Sequence, residues 1–216
     1  MAADHEEFHR AKSRGEFEEA NVPLVKNKKK AAKAAVRQSL YHGVVSYPDP
    51  LLRQKARTVE EGAFGTKMLD AEGWRMLEES NRLKAAGLAH CQIGGHLKLV
   101  TIPRRTRVEN GEKTMELWCV ANLELIKVGP MVKGGEEGCL SLAGVIDQAE
   151  APSWVEARFQ LLDGTHVEER IDGYAARVYA HEWAHLHGEL LCDRIKPPWR
   201  KIFLRHVQKK LKAGDQ

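Results

Sequence analysis

His181-Glu182-Trp183-Ala184-His185 sets the strongest condition on how this chain can fold. Residues four apart share a face only on an α-helix, one turn above one another. Two imidazoles so placed can reach one metal ion, with the intervening glutamate beside it to handle protons. A hydrolytic centre of this kind needs a third protein ligand and one position left open for water. That ligand must come from elsewhere in the chain, so the fold has to bring a distant segment onto the helix. Taken alone the pentapeptide is short, and two surface histidines on an ordinary helix would also produce it.

A third ligand is offered upstream, in Glu136-Glu137-Gly138-Cys139-Leu140-Ser141. A thiolate beside two imidazoles binds iron, zinc, nickel or cobalt. Gly138 lets the backbone approach closely. By itself Cys139 reads as a buried structural cysteine. Further upstream, Gly87-Leu88-Ala89-His90-Cys91-Gln92 pairs small residues with a neutral amide donor. By itself it reads as a helix stop followed by a surface glutamine.

The surrounding pattern is that of a globular α+β domain with mixed or antiparallel strands around the metal-binding helix. Hydrophobic residues make up 43% and charged residues 30%, which argues against a wholly disordered chain. No apolar run approaches the roughly 18–20 residues that span a bilayer. Leu69, Met76 and Leu83, with Leu77, predict a helix over 66–84. Strands are predicted over 97–102 and 117–121. Two more, over 153–161 and 165–171, flank Asp163-Gly164 as a hairpin. The metal helix is predicted over 173–187, ending at Gly188. Beyond Pro197-Pro198, residues 199–212 predict a basic amphipathic helix.

Charge divides the chain into three parts. Residues 1–40 carry nine Lys/Arg and six Asp/Glu, and residues 196–216 carry seven and one; against a net +4, the body is acidic. The expected organisation is a charged arm over 1–40, a metallohydrolase domain over 41–196 and a basic helical tail over 197–216. The N-terminus has no apolar core and is rich in acids, unlike a secretory signal or a transit peptide. The four cysteines are too scattered for a disulfide scaffold, and reduced thiols are expected.

The three chemical segments, in this order, resemble the peptide deformylase family, which carries a glycine-rich segment ending in Gln, then EGCLS, then HExxH. The EGCLS match is complete at Glu137–Ser141, and Tyr47-Pro48-Asp49-Pro50-Leu51-Leu52-Arg53 resembles the family's start. The resemblance implies a metal held by Cys139, His181 and His185, with water in the fourth position. It implies ferrous iron, with zinc, nickel or cobalt as substitutes. Glu182 would move the proton, while Gln92 and the Leu140 N–H would stabilise the developing oxyanion. Gly87, Leu88, Gly138, Tyr174, Arg177 and Val178 would contact substrate. The reaction implied converts a formyl-methionyl peptide and water to formate and a free N-terminal methionine. It places the chain in a bacterial cytoplasm or an organellar matrix, with formylated nascent peptides as partners and no sequence-specific nucleic acid. In bacterial members a basic C-terminal helix docks on ribosomal RNA. Residues 199–212 have the charge for that, and equally for a solvated helix packed by Ile202 and Phe203.

Several positions depart from the family pattern. Ala85 and His90 replace a glycine and an alanine, and Ala180 and Ala184 replace the residues usual before each histidine. No Arg follows EGCLS until Arg158. His90 is expected to turn to solvent, and Cys91 to lie near enough to the site to be oxidised. Arg177 falls one turn before His181, on a stripe that is apolar in the family. It can snorkel out, pair with an acid such as Glu136, or bind an acidic substrate group. Two rivals follow: a metallohydrolase with altered acyl-peptide specificity, and an inactive descendant that binds metal or peptide.

Overall fold

The computed structural model describes residues 42–109 and 112–213. The arm expected over 1–40 lies outside the described residues. After short 3-10 turns at Pro50–Arg53 and Glu61–Ala63, helix α1 spans Lys67–Arg82. Thr66 caps it by accepting from the Leu69 N–H at 3.3 Å. Leu69, Gly73, Met76 and Ser80 form its buried stripe, at the spacing a single helix face requires.

Five strands make one antiparallel sheet in the order β1-β2-β3-β6-β7. They are β1 Leu88–Ala89, β2 Leu99–Glu109, β3 Glu112–Val128, β6 Trp154–Gln160 and β7 His166–Asp172. The β6–β7 hairpin turns at Asp163-Gly164, where Gly164 takes φ +90°. A second sheet has two strands, β4 Met131–Cys139 and β5 Val145–Pro152. Neither was predicted, because MVKGGEEGC and VIDQAEAP lack a steady apolar alternation.

Helix α2 spans Gly173–Leu186 and follows β7 directly. It packs on β2 and β6 of the large sheet and on β5 of the small one. Tyr179 and Leu186 join Phe159, Leu142 and Val100 in the main core. After α3, Leu191–Arg194, helix α4 spans Trp199–Ala213 and buries Phe203, Val207 and Leu211 in the same core. No described helix is long and apolar enough to cross a membrane.

His90 does not turn to solvent. It is 5% exposed, with Nε2 2.5 Å from Glu72 Oε1 and Nδ1 accepting from the Leu97 N–H at 3.1 Å. A Cβ on Gly95 would fall 1.8 Å from the imidazole, so that glycine is what admits the ring. Burial alone would raise the Glu72 carboxyl, but hydrogen bonds from His90 and Arg75 outweigh it and hold it down at about 2. His90 therefore ties α1 to the turn after β1.

Candidate metal centre

The tight turn between β4 and β5 delivers the thiol. Leu140–Leu142 form a single 3-10 turn, Ala143 and Gly144 both take positive φ, and the Gly144 N–H closes on Cys139 O at 3.0 Å. Cys139 is thereby aimed at α2. His181 and His185, one turn apart on that helix, meet it. His185 Nε2 lies 3.3 Å from Cys139 Sγ and 3.2 Å from His181 Nε2. The three donor atoms lie within 4.8 Å of one another and all three residues are buried.

The surrounding groups fix how these donors point. Glu137 Oε1 is 2.6 Å from His181 Nδ1, so the outer nitrogen carries the proton and Nε2 presents its lone pair inward. Glu137 also takes Arg177 Nη1 at 3.3 Å on Oε2 and a close contact from Arg194 Nη2 on Oε1. Burial alone would raise this carboxyl, but His181 and then Arg194 hold it down at about 2. Gln92 is pinned at both ends. Its Oε1 accepts from the Ala89 N–H at 2.9 Å, and its Nε2 donates to Ser141 Oγ at 3.3 Å while lying 3.8 Å from Cys139 Sγ. Glu182 is 3% exposed, and its Oε2 has no hydrogen-bond partner among the described residues. Burial pushes its carboxyl up to about 7.

These residues border a cleft of about 250 Å³. Gly87, Gln92, Gly138, Leu140, Tyr174, Arg177, Val178, His181 and Glu182 all line it, as does Cys139. A Cβ on Gly87 would come within 2.7 Å of Glu182 Oε1, so that glycine leaves the carboxylate its room. His185 sits behind the cleft wall, 1% exposed. Leu88 does not reach the cleft: its side chain is fully buried and its backbone pairs with Thr101.

Other expectations need correction. Arg177 does not snorkel, being 8% exposed, and the acid it pairs with is Glu137 rather than Glu136. Cys91 is buried, and burial pushes its thiol up to about 12, which makes it a poor target for oxidation. Glu137 and Arg194 were missed as site residues. Alternation along a β4 strand would have put Cys139 and Glu137 on one face, had that strand been legible.

The donor set fits a metal. His185 Nε2 lies 3.2–3.3 Å from the other two donors and all three lie within 4.8 Å, which suits one sulfur and two imidazole nitrogens at three corners of a tetrahedron around a single divalent ion. Glu182 lines the same cleft.

Comparison with known proteins agrees with this geometry. Residues 41–201 match the family model described as polypeptide deformylase. This chain belongs to the peptide deformylase family. A peptide deformylase of Thermotoga petrophila is 34% identical over 159 residues, which cover 74% of this chain and 89% of that one. The crystal structure of peptide deformylase from Thermus thermophilus superposes with TM-score 0.66 at 31% identity, covering 80% of this chain and 96% of that one. A peptide deformylase from Legionella pneumophila gives TM-score 0.67 at 28% identity, covering 79% and 96%. The deformylase match takes in both sheets, α2 and the start of α4.

Proposed function

We infer that this chain is a metal-dependent hydrolase that removes the formyl group from the N-terminal methionine of nascent polypeptides. The family match supports this reading, and one observation carries it to the residues. Three convergent metal-type donors, two of which line the cleft, stand beside a buried glutamate that lines it too and has an unpartnered carboxylate oxygen.

Cys139, His181 and His185 would hold the ion, with Glu137 fixing the His181 ring. Ferrous iron is the ion we propose, and zinc, nickel or cobalt suit the same donors. A divalent ion held there would supply Lewis-acid activation of water near neutral pH. Glu182 is placed to take a proton from the attacking water and would later give it to the departing amine. The water oxygen bonds to the formyl carbon, the C–N bond breaks, and formate and a free amine result. Gln92 Nε2 and the Leu140 N–H donate to the oxygen on which charge develops. Gly87, Gly138, Tyr174 and Val178 shape the walls. The metal-loaded full chain should release formate from formyl-Met-Ala-Ser in step with free amine, and should leave internal peptide bonds intact. Cleavage within the peptide without formate would instead indicate an endopeptidase.

The setting is one where translation starts with formyl-methionine, a bacterial cytoplasm or an organellar matrix. The exposed Lys201, Arg205, Lys209, Lys210 and Lys212 of α4 are the face we propose for ribosomal RNA. Arg200 is not part of it, since its guanidinium turns back to the Ile195 and Asp193 carbonyls. Deleting α4 would remove core residues, so the test is reversal of Lys209 and Lys210 to Glu. Ribosome co-sedimentation should fall severalfold and become less dependent on salt. Unchanged co-sedimentation would exclude this face.

A further inference from the structure

The cleft has a cation in its wall. Arg177 lies on α2 one turn before His181 and lines the cleft. Nη1 makes both of its protein hydrogen bonds, to Ala149 O at 2.9 Å and Glu137 Oε2 at 3.3 Å. Nε and Nη2 make none among the described residues, yet neither is an enclosed unpartnered atom. An arginine has five N–H donors, so most of this guanidinium is available to something else.

The space for it is built into β4. A Cβ on Gly135 would lie 2.1 Å from Arg177 Nη2 and 2.4 Å from Cζ. A missing side chain on the strand and a long one on the helix therefore form a matched pair. Charge is also left over. Glu137 faces two guanidinium groups, Arg177 and Arg194, as well as the His181 ring. The other acids on the cleft are Glu136 and Glu182, and neither bonds Arg177.

We propose that Arg177 is a specificity-determining residue: it favours a first peptide side chain that is unbranched and ends in an oxygen acceptor over a purely apolar one. This rests on the reading that the cleft takes the formylated end. Four residues, about 6 Å of helix rise, separate Arg177 from His181. An extended side chain of methionine length covers a similar distance. The terminal atom of such a chain, bound in the cleft, would then reach the N–H donors of Arg177. A neutral sulfoxide and a carboxylate offer the same acceptor chemistry. A hydrogen bond to a charged donor changes a rate ratio by roughly 10- to 100-fold.

The test compares kcat/KM of the metal-loaded full chain on four formyl tripeptides ending in Ala-Ser. Their first residues are methionine sulfoxide, glutamate, methionine and norleucine. Arg177→Met should lower the sulfoxide-to-norleucine ratio, the glutamate-to-norleucine ratio, or both, by about 10-fold or more. A fall in the glutamate ratio alone identifies charge as what is recognised, and in the sulfoxide ratio alone a neutral acceptor. Gly135→Ala displaces the guanidinium and keeps its charge, so it should shift the same ratio part of the way. It decides the matter if Arg177→Met does not fold. Both ratios unchanged within twofold overturn the proposal. If the wild-type chain turns over none of the four peptides, the deformylase reading fails separately. Calorimetric affinities for the unformylated tripeptides, wild type against Arg177→Met, then decide the role of Arg177 by the same ratios.

Discussion

Glu182→Gln should lower formate release by about 10³-fold and leave the bound metal in place. Glutamine keeps the size of the side chain and its contact with the space left by Gly87, but it cannot accept a proton at neutral pH. The position favours this role on three grounds. The side chain follows directly on His181, it lines the cleft, and its Oε2 is buried without a partner among the described residues. A buried carboxylate oxygen left unpaired is costly, by about 1–3 kcal/mol, unless something in the working site uses it. Cys139→Ala or His185→Ala should abolish activity differently, by losing the metal. Metal content measured after dialysis, beside formate release, separates the two behaviours. Residual turnover of Glu182→Gln within tenfold of wild type would mean that another group carries the proton.

The residues proposed to bind and react were easier to place than the scaffold that aims them. Helix periodicity places His181 and His185 on one face of α2, while the roles proposed for them and for Glu182 come from the motif and from the family resemblance. The hairpin at Asp163-Gly164 was equally local. Strands β4 and β5 were not legible, since three glycines and six charged or amide residues interrupt any alternation. That gap had a direct consequence. Without the strand, Glu136 and Glu137 could not be assigned to faces, and the partner of Arg177 was placed one residue away. His90 was misplaced for a related reason. Its burial depends on Glu72, a full helix away, and on the vacancy at Gly95, and neither contact leaves a pattern in the sequence. Arg177 itself was visible as an anomaly, but only the missing side chain at Gly135 explains how the core accommodates it.

Glu137→Ala should destabilise the chain by about 3–5 kcal/mol and weaken metal binding by roughly 10- to 100-fold. Glu137 is the acid shared by Arg177, Arg194 and the His181 ring, and its side chain is 5% exposed. Removing it leaves two guanidinium groups and an imidazole around a buried gap. Arg177 keeps Ala149 O, but His181 Nδ1 loses its one carboxylate, and the ring loses the bond that fixes its lone pair inward. Glu137→Gln divides the two effects, because the amide oxygen can still accept from Nδ1 while the charge is gone. Metal affinity should recover partly, and stability should not. The pH dependence has a definite sign. The folded carboxyl is held at about 2 against an ordinary 4.5, so its contribution is present above pH 4.5. That contribution disappears as pH falls through about 2, where the folded state also takes up the proton. The difference in unfolding free energy between wild type and Glu137→Gln should therefore be largest above pH 4.5 and shrink towards pH 2. Denaturant unfolding across that window measures it. A difference that does not vary with pH, together with unchanged metal affinity, would show that Glu137 merely fills space between α2 and the small sheet.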